Sequence, residues 1–373
     1  MSRLTSALVL GLLALRAAAQ TQPPSGCDPT WGNTTCLDNP ALGTTLDYSF
    51  NNTLSEMDPQ YFNVTAGASL ISFGNDGAEM SILKAGDSVT VSTQFYILEG
   101  RAEIVMQAAK GVGIISTIIL LSDTLDEIDW EILGGNETHV SNNWYGLGNT
   151  SQHNGEYPLL AGAMDTFHNY TIDWNQDRLQ WIADGQMVRE LKGAGKGLYP
   201  QTPSVIRFGI WAAGDPSLPQ GTRDWAGGDT DYSKGPFTMK VKSVKVTDAA
   251  TNVTSYTYED TSGEYKSVKA NPGDSKAFLA IHKLTSAQKA AASWSHLSKT
   301  AKIAIASSVL GVLLVIIIIY TYVCITQRKK GRAEKAIADR EWERHESELM
   351  EYKRQMQKGG FAVSHLGSGE VRY

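Results

Sequence analysis

Between about residues 27 and 259 the apolar residues recur with a period of two rather than 3.6, and no long helical period is present. Val89, Val91 and Thr93 alternate with polar neighbours. Phe237, Met239 and Val241 alternate with Thr238, Lys240 and Lys242; the phase slips at Ser243 and resumes at Val244 and Val246, which predicts a bulge. Ile114 to Leu121 is an unbroken apolar run of strand length, expected to be buried on both faces. Gly74-Asn75-Asp76-Gly77 and Asp184-Gly185 read as turns between such runs. Many short strands over this length predict an all-β fold, a β-sandwich.

A different pattern follows. Residues 268–302, rich in Ala, Ser and Lys, read as a polar stalk. Ile303 to Ile325 carries no charge, and roughly 23 residues at about 1.5 Å each cross a hydrocarbon core of about 30 Å. Arg328, Lys329, Lys330 and Arg332 follow directly, which predicts a single transmembrane helix with residues 326–373 on the cytoplasmic side. From about 333 to 358 the charged sequence predicts a helix. Ala338, Trp342, His345, Leu349, Tyr352 and Met356 form a short seam on it, and Gly359-Gly360 is expected to end it.

Within the strand-patterned region, Asp126-Glu-Ile-Asp-Trp-Glu131 stands out. Glu127, Asp129 and Glu131 alternate with Ile128, Trp130 and Ile132, so a strand here puts three carboxylates on one face and anchors the other in a core. Crowded like charges disfavour one another's ionisation, so the arrangement costs stability. Cleavage of a glycosidic bond needs two carboxyl groups flanking that bond. The Cα atoms of Glu127 and Glu131 would lie about 13 Å apart on an extended strand. A retaining mechanism asks for carboxyl groups about 5–5.5 Å apart, so the side chains must lean together. On this reading Glu127 and Asp129 keep Glu131 protonated, and loss of one charge on esterification of Glu127 lets Glu131 act as a base.

Composition adds the setting. The formal charge of −6 argues against nucleic acid as a partner, while nine Trp and fifteen Tyr supply flat faces suited to sugar rings. Residues 1–19 read as a secretory signal, with Arg3, the apolar run Ala7 to Leu15, and Ala17-Ala18-Ala19 before Gln20. Cys27 and Cys36, in an oxidising compartment, are expected to form a disulfide; Cys324 is expected to be a free thiol. Glycosylation acceptors occur at Asn33, Asn51, Asn63, Asn136, Asn149, Asn169 and Asn252, all before the apolar run.

Asp126-Glu-Ile-Asp-Trp-Glu131 followed by Ile-Leu-Gly-Gly135 resembles the signature of glycoside hydrolase family 16, and more narrowly the fungal Crh-type cell-wall transglycosylases. The likeness runs over roughly residues 27 to 267 and includes Phe167 to Trp174, Leu179 to Gly185 and Gly221 to Gly228. It implies a catalytic domain over residues 20–267, a concave β-jelly-roll sandwich with the acidic strand on the cleft floor. It also implies Glu127 as nucleophile, Asp129 as its assistant and Glu131 as acid/base. Trp211 and Trp225 fall where the family has sugar-stacking aromatics, and Tyr145 is a further candidate substrate contact; His168 is expected to be a sheet histidine rather than a cleft residue.

The activity implied is retaining transglycosylation, with chitin as donor and β-glucan or chitin as acceptor, and with no cofactor or metal. Many relatives end in a lipid-anchor signal. Here a polar tail follows the apolar run, so a true span at the plasma membrane is expected instead. Two other functions fit the same residues: a predominantly hydrolytic β-glucanase or chitinase, and a catalytically dead membrane-tethered glycan-binding receptor. The tail's partner is not specified by the sequence.

Overall fold

The computed structural model describes residues 22–32, 36–151, 154–193, 198–283 and 298–358. The signal-like segment 1–19, Asn33, residues 284–297 of the expected stalk, and the tail from Gly359 lie outside them. The strands, in chain order, are β1 (Asn39–Pro40), β2 (Thr45–Ser49), β3 (Phe62–Ala66), β4 (Ile71–Gly74), β5 (Gly77–Ile82), β6 (Ser88–Thr93), β7 (Gly100–Gln107), β8 (Ile114–Ser122) and β9 (Glu127–Leu133). They continue with β10 (Ser141–Tyr145), β11 (His168–Trp174), β12 (Arg178–Ala183), β13 (Gln186–Lys192), β14 (Ser204–Ala212), β15 (Phe237–Asp248), β16 (Val253–Tyr258) and β17 (Val268–Pro272). Between residues 22 and 283 the helices are short; α1 is Gln220–Trp225 and α2 is Lys276–Ile281.

Two antiparallel sheets make the sandwich. One has the order β10-β9-β8-β14-β6-β3; the other runs β13-β12-β11-β7-β15-β5-β4, with β2 pairing the far half of β15. The long β15 serves both β5 and β2 because its register against β7 shifts between Val241 and Ser243, where the hydropathy pattern changes phase. Gly74 and Gly77 close the β4–β5 hairpin. Asp184 (φ 49°) and Gly185 (φ 80°) turn β12 into β13 in the left-handed backbone such a tight hairpin requires.

The inward faces meet in one core. Trp130, Trp174, Trp181, Tyr170, Tyr256, Phe62, Phe95 and Phe208 are its largest fully buried side chains. β8 is buried along its whole length, as its unbroken apolar sequence predicts: one face joins the core and the other continues the face that carries the acids of β9. At Gly209 on β14 a Cβ would come within 2.0 Å of the Val89 carbonyl oxygen, so only glycine permits the close approach to β6 there.

The expected stalk boundary is corrected by the structure. Val268–Pro272 pairs with β16 as an edge strand. In α2, Ser275 caps the helix through Phe278 N–H and donates its own hydroxyl to the Leu42 carbonyl, while Ala277 is buried. The folded unit therefore runs to Lys283. A short, mostly exposed strand has too weak an alternation to read as one.

The second unit contains α3, Lys299–Gln357, one continuous helix capped at its start by the Ser298 hydroxyl. It covers both the apolar run and the charged segment. Among the described residues no helix is long and apolar enough to cross a membrane; the side chains at 303–306, 309–310 and 312 of the apolar run are outside those described. Leu313 to Ile319, Val323 and Ile325 are all exposed on α3. Cys324 is a free thiol, and Cys27 and Cys36 form a disulfide with Cα atoms 5.7 Å apart.

Candidate active site

The acidic strand is fixed from both ends and from behind. The β8–β9 turn is closed by Ser122 N–H to the Asp126 carbonyl (2.9 Å) and Asp126 N–H to the Ser122 hydroxyl (2.8 Å), with Leu125 at φ 61°. The Asp126 carboxylate is fully buried. It accepts from Leu147 N–H (2.9 Å), Gln201 N–H (2.9 Å), Thr202 N–H (3.0 Å) and the Thr202 hydroxyl (2.6 Å). Burial pushes it up to about 6, against those four donors. Three separate segments thus converge on the residue before Glu127.

On the reverse face Trp130 donates to the Thr171 carbonyl (3.2 Å), and Trp181, from the opposite sheet, donates to the Asp129 carbonyl (2.9 Å). The Arg189 guanidinium lies 4.7 Å from the Trp181 ring centre and donates to Asn142 Oδ1 (2.7 Å) and the Asn154 carbonyl (2.7 Å). Asn142 is the register partner of Trp130, so Arg189, on β13, ties β10 to the opposite sheet behind β9.

Register places the facing residues. Across β10, Tyr145, Asn143 and Ser141 pair with Glu127, Asp129 and Glu131. Across β8 the partners are Leu121, Ile119 and Thr117. One strand further, Arg207 pairs with Ile119, Gly209 with Thr117 and Trp211 with Ile115. Antiparallel partners share a face, so these residues form one surface with the acids. Glu127 is 8 % exposed and Asp129 1 %. Glu131 is half-buried and is the most open of the three.

The electrostatics follow from burial beside like charges. Burial first, then the charge and hydrogen bond of Asp129, then Glu131, drive Glu127 well above the carboxylate range, while the Arg207 cation opposes them. Asp129 is pushed up to about 7 by burial, held from going higher by the hydrogen bond from Glu127, the Arg189 charge and Asn143 N–H. Glu131 is raised by burial and then by Asp129. Burial and crowding disfavour ionisation of all three together, so the strand favours keeping a proton among them. The Tyr145 hydroxyl is raised by burial and by all three acids, opposed by a hydrogen bond with Asn143, which sets the phenol within their field.

Trp211 and Trp225 are brought together at the Glu131 end of β9. Their rings stack with centroids 6.3 Å apart, on a small cluster of Ile115, Leu133, Ala213 and Ala226. Trp225 Nε1 donates to the Tyr157 hydroxyl (3.1 Å), whereas the buried Trp211 Nε1 has no acceptor among the described residues. Two hollows adjoin the pair. One of 780 Å³ lies against Trp211, with Lys84, Ser88, Asp215 and Ser217 on its walls; one of 450 Å³ lies against Trp225, Tyr157 and Leu133. Aromatic faces with a few polar groups are the usual furniture of sugar sites. Among the described residues no cluster of His, Cys, Asp and Glu is arranged to hold a metal ion.

His168 lies on the other sheet, where Nδ1 pairs with Asp184 (2.7 Å), away from the acidic face. Arg207 and Arg189 were not singled out from the sequence. Arg207 was findable: in Ser204–Ala212 it shares its phase with Trp211, while Ile206, Phe208 and Ile210 fill the core. For Arg189 the sequence carries no signal, because its partners are up to 47 residues distant. The glycosylation acceptors among the described residues, Asn51, Asn63, Asn136, Asn149, Asn169 and Asn252, are all outside the buried core.

Comparison with known proteins gives a consistent picture. Residues 58–227 match Glycosyl hydrolases family 16. The chain is 40 % identical over 358 residues to Crh-like protein 2 of Botryotinia fuckeliana, covering 94 % of this chain and 77 % of that protein. It is 40 % identical over 350 residues to Crh-like protein 3 of Aspergillus fumigatus, covering 92 % and 93 %. A solved structure of an apo Crh5 transglycosylase superimposes with a TM-score of 0.61 at 45 % identity, covering 66 % of this chain and all of that one. A second structure of that enzyme, in complex with NAG, gives 0.61 at 46 %.

Proposed function

The chain belongs to the Crh-like proteins of glycosyl hydrolases family 16, and from that premise we propose that it is a retaining transglycosylase of the fungal cell wall. It cleaves a chitin-type β-1,4 bond and passes the glycosyl unit to a β-glucan or chitin acceptor. The observation that carries the reading is the set of three carboxyls, two buried and one half-buried, crowded on one face of β9.

In this reading Glu127 attacks the anomeric carbon while Glu131 gives its proton to the departing glycosidic oxygen, leaving a glycosyl ester on Glu127. The ester removes one negative charge, so Glu131 remains ionised and takes the proton of the acceptor hydroxyl as that oxygen displaces Glu127. Arg207 favours the ionised form of Glu127 that attack requires. Asp129 exchanges a hydrogen bond with Glu127 and keeps it in place. Tyr145 contacts the sugar at the acids, and Trp211 and Trp225 carry outer sugar rings. Stacking on the acceptor side lets a sugar reach the ester before water does, which favours transfer over hydrolysis.

The setting proposed is the cell surface. Residues 1–19 direct secretion, and the catalytic unit is extracellular, disulfide-bonded and glycosylated. Residues 303–325 cross the plasma membrane once, and 326–373 lie in the cytoplasm. The ring of exposed Leu, Val and Ile on α3 supports this, since such a surface is costly in water and suited to lipid.

The test uses the full chain in detergent with a chitin oligomer as donor and fluorescent β-1,3-glucan and chitin oligomers as acceptors. Elongated labelled products that vanish in Glu127→Gln and Glu131→Gln are expected. Shortened donor without labelled product would make the protein a hydrolase, and no turnover at all would leave a glycan-binding receptor.

A further inference from the structure

β9 ends at Leu133, and two glycines later the chain reaches Asn136, in the acceptor sequence Asn136-Glu137-Thr138. Asn136 lines the 450 Å³ hollow together with Leu133, Tyr157 and Trp225. Its Oδ1 accepts from Thr138 N–H (3.2 Å), the Thr138 hydroxyl (3.3 Å) and His139 N–H (3.0 Å). Every hydrogen bond of this side chain among the described residues thus falls on the oxygen, leaving the amide nitrogen, the atom that carries sugar. Asn51, Asn169 and Asn252 line none of the hollows beside the tryptophans.

The chemistry of the attachment matters. The first two sugars of an N-linked glycan are N-acetylglucosamine units joined β-1,4, the repeat of chitin. A glycan on Asn136 is therefore a covalently tethered copy of the sugar that the proposed active site handles. It stands at the rim of an aromatic hollow that ends the acidic strand. Tyr157 is half exposed there, and its hydroxyl bonds the Trp225 indole, so the hollow offers a ring face and a polar edge together.

We infer that the glycan on Asn136 docks its own chitobiose core beside Trp225 and competes there with incoming chitin-type acceptor. The inference rests on the transglycosylase reading for the choice of sugar. A short tether holds its ligand at an effective concentration on the order of millimolar. That suffices to occupy a weak sugar subsite for part of the time and raise the apparent acceptor constant a few-fold. Occupancy of one acceptor asparagine then sets how readily the enzyme takes a chitin acceptor, with no change at the acids.

The test uses the full chain from a eukaryotic secretory host, in detergent, in a Glu127→Gln background so that binding is read without turnover. Glycopeptide mass spectrometry reads occupancy at Asn136. Binding of a chitin tetramer, followed by tryptophan fluorescence, is compared for the parent and for Asn136→Gln. Further arms are Thr138→Ala, which keeps the asparagine but loses the glycan, Thr138→Ser, which keeps both, and Asn252→Gln, which removes a glycan elsewhere. The expected result is a few-fold tighter binding in Asn136→Gln and Thr138→Ala only, a difference that Trp225→Ala abolishes. An unmodified Asn136, or equal binding by all variants, overturns the inference. Absence of tetramer binding in every form overturns the transglycosylase reading along with it, and so is distinguishable from failure of the inference alone.

Discussion

Arg189 gives the sharpest test of how the acidic strand is held, because its removal affects stability and proton distribution through separate contacts. Arg189→Met keeps an unbranched apolar stem and deletes the guanidinium that lies over Trp181. Two short charge-assisted bonds are lost, to Asn142 Oδ1 and the Asn154 carbonyl, each 2.7 Å. Bonds of this kind contribute about 1.5–3 kcal/mol each. The ion pair with Glu156 adds nothing to that figure, since Glu156 is 60 % exposed and water screens it. With some water entering to satisfy the carbonyls, the loss should be about 3–4 kcal/mol. At about 2–4 °C per kcal/mol for a domain of this size, the melting midpoint should fall by about 10 °C.

The second effect is electrostatic. Arg189 helps hold Asp129 down near 7 against burial, so without it Asp129 keeps its proton to higher pH. The acid limb of the pH profile of kcat/KM should then move upward. Arg189→Lys retains the charge but not the fork; it should lower the midpoint and leave the limb nearly in place. Thermal melts and pH–rate profiles of both variants read the two effects. A Met variant with an unmoved acid limb refutes the electrostatic role, and one with an unmoved midpoint refutes the tie.

Two further outcomes are expected. Asp126, Asp248 and Asp129 are raised by burial to about 6, about 6 and about 7. An acid whose folded value exceeds its unfolded one contributes stability that is complete below the unfolded value, near 4, and is lost as pH rises through the folded value. The melting midpoint should therefore fall between pH 4 and pH 8, with Asp126 and Asp248 each contributing at most about 3 kcal/mol to the fall and Asp129 at most about 4 kcal/mol. Asp248→Asn, remote from the acids, should flatten the slope, and a midpoint that rises with pH would contradict the assignment. Trp225→Ala should raise the KM for acceptor several-fold and shift products toward hydrolysis at unchanged donor cleavage; an unaltered product ratio by mass spectrometry would remove Trp225 from the acceptor side.

What was legible in the chain was whatever rests on local period. The acids share a face because strand geometry makes them, and the slip at Ser243 marks the register shift in β15 because a bulge has to move the phase. Cys27 and Cys36 are near enough in sequence to pair without knowledge of the fold. What was not legible depends on pairing across long separations. Arg207 reaches the acids through β8, and Arg189 reaches them through Trp181 and Asn142, relations created only when the sheets assemble. The edge strand Val268–Pro272 was missed for a third reason. It earns its place by backbone pairing with β16 while its side chains are largely exposed, so its composition resembles a linker.

The two indole bonds behind the acidic strand have an evolutionary consequence. Trp130 reaches the Thr171 backbone and Trp181 reaches the Asp129 backbone, so each sheet grips the other's main chain rather than its side chains. Backbone atoms are the same whatever residue bears them. The anchorage therefore survives substitution at Thr171, and shear of one sheet against the other must break both bonds at once. Change should be easier at the rim, where the segments carrying Tyr157 and, at the end of α1, Trp225 can vary without disturbing that anchorage. Descendants of this scaffold should acquire new polymer preferences by rewriting loops while inheriting the reactive strand unchanged.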